Sequence, residues 1–549
     1  MDESPEQGER AEPRRSADWK ALIVVLALAA ALRVPLLFSG QKYLRSDEAV
    51  VGLMARHIVT RGELPLFLYG QPYGGGHAIV AYIAAALFVP FGRSAILLTA
   101  ISAAVSIVNV WLVWRILRKY LGRSAAVIGG ILYATTPPVV YGAFLVNGGT
   151  ESFCLALLGL TFFLRAYMDG NAPLRNAALA GLFGGLAYYA MDYALLYAIG
   201  FGVLWLFTGK ENKWRCMGGL IAGFIAGCLP LILYNLTHHF AHLRHIFQSP
   251  PGPSVGFIEH FFGALAHALT TGLPAFFTGD IDNYVPATPG SWLHAAAAIV
   301  AVVILVYAQR GALVKTLRGI SFDGRRAARL APALLPVFFI ALYMAMYSAA
   351  KFSLPPFRTS RYFLPLCPFV SMAIAAAVVQ WRGAKARRLA YAAALVLAAG
   401  GAVNAYAVVG RPWHEEHRIR TRGAELELVS RWLQDHDVEI AYAPYEIAWR
   451  LMFEADERVA VSCEGLSPLP RYDDYVKEVR RRATEGEPFA LVVRRDFAFV
   501  AFGQGMKGGP QLAESFRQSL GRKGLPEYPV FETEEFLVFH PLTLEAFAR

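Results

Sequence analysis

The stretch "HAIVAYIAAALFVPF" (His77–Phe91) is almost unbroken apolar sequence, and whether it crosses a bilayer decides the arrangement of everything after it. A helix needs about 20 apolar residues to span a hydrocarbon core of about 30 Å, so this segment is short for the task. If it crossed, "RILRKYLGR" (Arg115–Arg123) would lie outside, against the tendency of Lys/Arg-rich short loops to stay in the cytoplasm. It is therefore read as a juxtamembrane helix lying in the interface, and 94–117 becomes the next span, running inward.

The rest of the chain follows from that choice. Its 549 residues are 56% hydrophobic and only 17% charged, with a mean hydropathy of +0.39. Soluble proteins carry about 25% charged residues, so the composition defines a polytopic α-helical membrane protein. The net charge of +11 sits largely in short loops between apolar runs and no nucleic-acid motif accompanies it, which argues against nucleic acid as a partner. Cys154, Cys216, Cys228 and Cys367 lie in or beside apolar runs and Cys463 stands alone in the polar tail, a spacing that predicts neither a disulfide framework nor a zinc ribbon.

Residues 1–18 read as a disordered cytoplasmic N-terminus, and the run Ala21–Phe38 as a retained signal anchor. The predicted spans are 19–40, 94–117, 124–145, 150–168, two within 176–207, then 214–234, 291–309, 330–350, 361–381 and 388–409, eleven in all. The double assignment of 176–207 has a physical reason. One helix of that length would measure roughly 48 Å at about 1.5 Å per residue. The basic flanks Arg175 and Lys210 also belong on the same side, so a hairpin turning near Met191-Asp192-Tyr193 satisfies both constraints. An odd number of spans puts the C-terminus outside the cytoplasm. The transmembrane domain covers 19–409. From 410 to 549 helical and strand patterns alternate, which predicts a small extracytoplasmic α/β domain. The stretch 235–290, rich in Pro, Gly and aromatics, reads as the other long outer segment.

Chemistry-bearing residues gather on the predicted outer side. "YLRSDEAVVGLMARHIVTRGELPLFLYGQPYGGG" (Tyr43–Gly76) places Asp47 and Glu48 at a helix start, with Ser46 as its expected cap and Gly62 as its end. The two acids either complement the helix dipole or do chemistry. Glu151 begins a span and Asp192 marks the hairpin turn, positions where a carboxylate is costly or serves as a cap. Tyr69, Gln71, Tyr73 and His77 surround a glycine run and suit stacking on a sugar and binding its hydroxyls, or an ordinary turn. Lys351, Arg358 and Arg361, in "KFSLPPFRTSRYFLPLCPF" (351–369), suit either headgroup anchoring or a phosphate clamp. His238, His242 and His245 recur at helical spacing without an accompanying acid or cysteine, a weak metal signature that leaves a divalent metal open.

With these residues in view, the first loop resembles that of the multispanning GT-C glycosyltransferases, particularly the protein O-mannosyltransferase (family 39) and lipid A aminoarabinose transferase branch. Asp47-Glu48, Ala55-Arg56 and Gly62 carry the likeness, and "SRYFLPLCP" is similar to an Arg-Tyr-x-x-Pro motif at the start of a late span. The resemblance covers about 20–410. It implies transfer of a sugar from a polyprenyl-phosphate donor to a hydroxyl acceptor of the cell envelope, outside the cytoplasm, by an enzyme of a bacterial-type inner membrane. It implies Asp47 as the base, with Glu48 beside it in the catalytic pair. Glu151 and Asp192 would join Tyr69, Gln71, Tyr73 and His77 on the acceptor or sugar. The aminoarabinose enzymes carry Lys-Pro-Pro where this chain reads Gly-Gly-Gly-His, so the phosphate contact passes to Arg361, Arg358 or Lys351. The rival readings are a polyprenyl-lipid flippase or transporter, whose key polar residues belong near mid-membrane, and an inactive assembly subunit of the same fold.

Overall fold

A computed structural model describes residues 12–38, 44–208, 212–247, 256–279, 287–318, 330–350, 360–381, 383–410, 423–464, 466, 471–494 and 529–543. The chain forms two compact units. One comprises Met1–Leu36 with Thr99–Arg411, the other Leu37–Leu98 with Pro412–Arg549. The first loop thus folds with the C-terminal segment, a grouping that no local pattern in the sequence announces.

The larger unit is a helical bundle. Among the described residues six helices are long and apolar enough to cross a membrane: Ala95–Tyr120, Gly149–Tyr167, Pro289–Ala308, Pro332–Ala349, Arg361–Gln380 and Ala384–Ala407. The pair Lys213–Gly227 and Leu229–Thr237, bent by 57°, makes a seventh if counted as one span. Other expected spans are helical but broken. Arg123–Thr135 and Pro137–Gly142 meet at Thr136, where two consecutive prolines remove backbone donors. Glu12–Ala31 and Val34–Phe38 meet at Arg33, whose buried guanidinium donates to the Ser106 hydroxyl (3.0 Å) and to the carbonyls of Ala29 (3.0 Å) and Ala134 (3.2 Å). The 235–290 stretch is more helical than expected, with Ala241–Phe247 and Phe257–His267 inside it.

The hairpin within 176–207 is present as Pro173–Ala190, a 3-10 turn at Asp192–Ala194, and Leu195–Thr208. A Cβ placed on Gly184 would lie 3.7 Å from Ala198 Cβ, although the two residues flank the turn, so the second helix doubles back on the first. The following helix then runs parallel to the first. Gly219 faces Leu174 and Ala178, Gly223 faces Ala178 and Leu182, and Gly227 faces Leu182, the partners advancing together. Gly181 and Gly185 return the contact, against Leu220 and Phe224. Glycines four apart on both helices let the backbones touch, the small-residue packing that holds helices together where apolar burial gives no driving force. Facing outward on the second helix of this pair, Ile221 and Ile225 are 52% exposed, as a lipid-facing surface requires.

In the smaller unit, strands β1 (Ile440–Tyr442), β2 (Ala460–Ser462), β3 (Phe489–Arg494), β4 (Phe531–Glu532) and β5 (Phe536–Leu542) form one sheet in the order β2-β1-β3-β5-β4. β1 runs parallel to β2 and β3, each parallel step bridged by a helix, Tyr445–Glu454 and Asp473–Thr484. β5 is antiparallel to β3 and β4. All of β3 is buried, which explains its continuous apolar run "FALVV". Ile440, Val479, Phe489, Leu491, Val493 and Phe539 form the core on one face.

The first-loop helices complete this unit. Ser46–Arg61 packs on Tyr445–Glu454, where a Cβ on Gly52 would stand 2.4 Å from the Phe453 ring. Gly75–Phe91 is not among the six long apolar helices. Ala78, Val80, Ala81, Ala84 and Ala85 are buried in it, while Tyr82, Ile83, Val89 and Phe91 are exposed, so the helix buries one face.

Candidate functional site

Asp47 stands in the first turn of the Ser46–Arg61 helix. The expected cap is displaced by one residue. Arg45, with extended backbone, occupies the cap position and its N–H donates to Glu48 Oε2 at 2.8 Å. Ser46 lies inside the helix and its hydroxyl donates to Glu446 Oε2 (3.2 Å). Glu48 is buried and closes the helix start, the role a Glu at the third position performs in a capping box. Gly62 ends the helix in the left-handed region at φ 65°, as expected.

The Asp47 carboxylate is half-exposed and held from one side. Its Oδ1 accepts from the Tyr445 hydroxyl and from Arg471 Nη2 at 2.9 Å. Arg471 Nε donates in turn to the Tyr445 oxygen at 2.8 Å, so the three side chains close a triangle. Gln71 lies behind it, its amide oxygen accepting from Arg471 Nη2 (2.8 Å) and from the Tyr73 hydroxyl (3.0 Å), the orientation those donors require. Oδ2 of Asp47 accepts no hydrogen bond among the described residues. Burial opposes the charge on Arg471, but Asp47 and Tyr445 outweigh it and raise the guanidinium above its ordinary range. Burial, then Asp47, pushes the Tyr445 phenol far up, which keeps it a donor. Burial pushes the neighbouring Glu446 carboxyl up as well. His77 is buried, bonded through Nδ1 to the Gly74 carbonyl (3.2 Å) and lowered by burial, with Asp47 and Arg471 both acting on it. Gln71, Tyr73 and His77 are thus gathered around the acid of the first loop.

Tyr69 belongs to a second cluster in the same unit. It surrounds His57, which is fully buried: Nδ1 meets the Tyr69 hydroxyl (3.0 Å) and Nε2 meets Glu457 Oε1 (2.5 Å) and the Tyr475 hydroxyl (3.0 Å). Tyr69 and Tyr472 donate to Glu63, Tyr475 donates to Glu457, and Arg56 Nε approaches Glu457 at 3.1 Å. Burial works against the Glu457 charge, yet the hydrogen bonds from His57 and Tyr475 and the nearby cations prevail and hold its carboxyl at about 2. Tyr472 is pushed up to about 12 by burial and Glu63.

In the helical unit, Glu151 is buried in the first turn of Gly149–Tyr167. Its Oε1 accepts from Ser102 at 2.7 Å, while Oε2 has no partner among the described residues. Thr150 and Asn109 tie the same turn to the bundle, Thr150 Oγ1 donating to the Gly142 carbonyl (2.9 Å) and Asn109 Nδ2 to the Thr150 carbonyl (2.9 Å). Asp192 opens the hairpin turn, its Oδ1 facing His242 Nε2 at 3.2 Å. The other histidines of that trio do not converge on it as a metal site would need: His238 stacks on Tyr234 at 4.1 Å. Among the described residues no group of three or more His, Cys, Asp or Glu could hold a metal ion. Arg361 is exposed, with its guanidinium 5.4 Å from the centre of the Tyr362 ring. It lies in a 3-10 turn, Ser360–Leu366, whose Tyr362 carbonyl accepts from Tyr343 and whose Pro365 carbonyl lies 3.5 Å from the Tyr197 hydroxyl. Lys351 and Arg358 lie outside the described residues.

Arg471, Tyr445, His57, Glu457 and Tyr475 went unmarked by the sequence. His57 sits within the quoted first loop, but a lone His on a helix carries no signal. The others lie in the tail, where only element patterns were legible.

The several long apolar helices make this a multi-pass membrane architecture. Residues 77–237 match the family model described as dolichyl-phosphate-mannose-protein mannosyltransferase. The whole chain is similar in fold to ArnT from Cupriavidus metallidurans, at TM-score 0.60 in the apo state and 0.58 bound to undecaprenyl phosphate. Each comparison has 13% identity over 96% of this chain and 98% of that one. The apo oligosaccharyltransferase of Archaeoglobus fulgidus is similar at TM-score 0.50 and 14% identity, over 86% of this chain and 69% of that one. No curated protein sequence matches the chain.

Proposed function

We propose that the chain is a glycosyltransferase that moves a sugar from a polyprenyl-phosphate donor to a hydroxyl acceptor of the cell envelope, with inversion at the anomeric carbon. The observation that carries this reading is the geometry of Asp47. One carboxylate oxygen is fixed by two donors and the other is left open, the arrangement a general base needs to meet an incoming hydroxyl. The GT-C fold and the undecaprenyl phosphate bound by the similar ArnT support a polyprenyl-phosphate donor.

In this mechanism Asp47 Oδ2 takes the proton from the acceptor hydroxyl as its oxygen bonds to the anomeric carbon. The bond from that carbon to the phosphate oxygen breaks, and its electron pair leaves on the polyprenyl phosphate. Arg361, with Arg358 and Lys351, would stabilise the charge growing on that group. Glu48, Glu151, Asp192, Tyr69, Gln71, Tyr73 and His77 would orient sugar and acceptor, directly or through their neighbours. The chain would act in a bacterial-type inner membrane, N-terminus in the cytoplasm and C-terminal domain outside.

The test is to incubate the purified protein with radiolabelled polyprenyl-phosphate mannose and polyprenyl-phosphate aminoarabinose, using a membrane extract as acceptor source. Label passing to the acceptor fraction, with release of polyprenyl phosphate, supports transfer. Protein that moves the intact donor across vesicles without breaking it is a flippase. Folded protein that does neither is an assembly subunit.

A further inference from the structure

We propose that Arg471 and Tyr445 are positioning residues that the C-terminal domain supplies to Asp47, so that this domain is a working part of the transfer site. The inference rests on the glycosyltransferase reading above and deepens it.

The clamp is asymmetric. The Arg471 side chain is 5% exposed and that of Asp47 43%. A buried guanidinium carries a desolvation cost that is offset only when its donors are met with good geometry, whereas a half-exposed carboxylate keeps part of its hydration. Here the cation is buried and the acid is left half-exposed. Its donors reach Asp47 Oδ1, the Tyr445 oxygen and the Gln71 amide oxygen. Both donors to Asp47 converge on Oδ1, which restrains the rotation of the carboxylate and leaves Oδ2 clear of the clamp. A carboxylate held only by its own helix would rotate about its side-chain torsions, and both oxygens would share the open position. The clamp removes that freedom before the acceptor arrives. The residues doing this come from two places in one domain, Tyr445 at the start of its helix and Arg471 just before Asp473–Thr484.

The experiment measures steady-state transfer from the donor pair named above by wild type, Tyr445→Phe, Arg471→Met and Arg471→Lys, each alone and on an Asp47→Asn background. Tyr445→Phe removes a single hydroxyl and serves if Arg471→Met does not fold, and thermal unfolding checks both. Misplacing a reacting group by about 1 Å can cost about 100-fold, so kcat is expected to fall by about 10- to 100-fold with KM for the donor nearly unchanged. Arg471→Lys, which keeps the charge but not the fork, recovers part of the loss. On the Asp47→Asn background the same substitutions change kcat by less than about threefold, because the group they position is gone. Folded variants with unchanged kcat, or losses that multiply fully with Asp47→Asn, overturn the inference while leaving the glycosyltransferase reading intact. No transfer by wild type, or full transfer by Asp47→Asn, overturns that reading and this inference with it.

Discussion

Arg471 Nη2 and Asp47 Oδ1 stand 2.9 Å apart although 424 positions separate them in sequence. That contact, with Ser46 to Glu446 and His57 to Glu457, makes the first loop and the tail one folded body rather than a loop and an appendage.

The closeness of the two parts depends on Gly52, which leaves room for the Phe453 ring. Gly52→Leu should overpack this contact and destabilise the smaller unit by about 1–3 kcal/mol. Scanning fluorimetry in detergent should read this as a lowered first unfolding transition. An unchanged transition would mean that the helix and the tail are not packed this way.

Acid should loosen the same unit through Glu457. Its folded carboxyl sits at about 2, below the ordinary 4.5, so it contributes stability that is fully present above about pH 4.5 and is lost as pH falls through about 2. Glu457→Gln should therefore flatten the fall in unfolding temperature between those two pH values and lower it near neutrality. A parallel fall in wild type and variant would assign the acid sensitivity to other groups.

The glycine ladder of the helical unit gives a paired test. A Cβ on Gly223 would stand 2.0 Å from the Ala178 carbonyl oxygen, whereas one on the nearby Gly218 would meet nothing within 4 Å. Gly223→Ala should lower the unfolding temperature of the detergent-solubilised protein sharply. Gly218→Ala should leave it unchanged or raise it slightly, since Ala favours helix by about 1 kcal/mol. Equal effects would contradict the parallel helix pair.

Local rules carried the sequence reading a long way. Apolar runs marked the helices, excess length and flanking charge called for the hairpin around Met191, and the shortness of His77–Phe91 set it apart from the long apolar helices. The cap lies one residue away because the Ser46 hydroxyl is engaged by Glu446, a partner 400 positions distant that no local rule sees. Breaks at Thr136 and Arg33 escaped because composition averages over them. The Asp47 clamp was illegible for a stronger reason. Its partners come from the far end of the chain, and neither periodicity nor motif spacing links residues so remote.

The most direct test of the account compares transfer from radiolabelled polyprenyl-phosphate sugar by wild type and Asp47→Asn at equal folded concentration. A general base contributes about 10²- to 10⁴-fold, so the variant should lose that much of kcat while still binding donor. Equal rates for the two proteins would remove Asp47 from the chemistry and contradict the account at its centre.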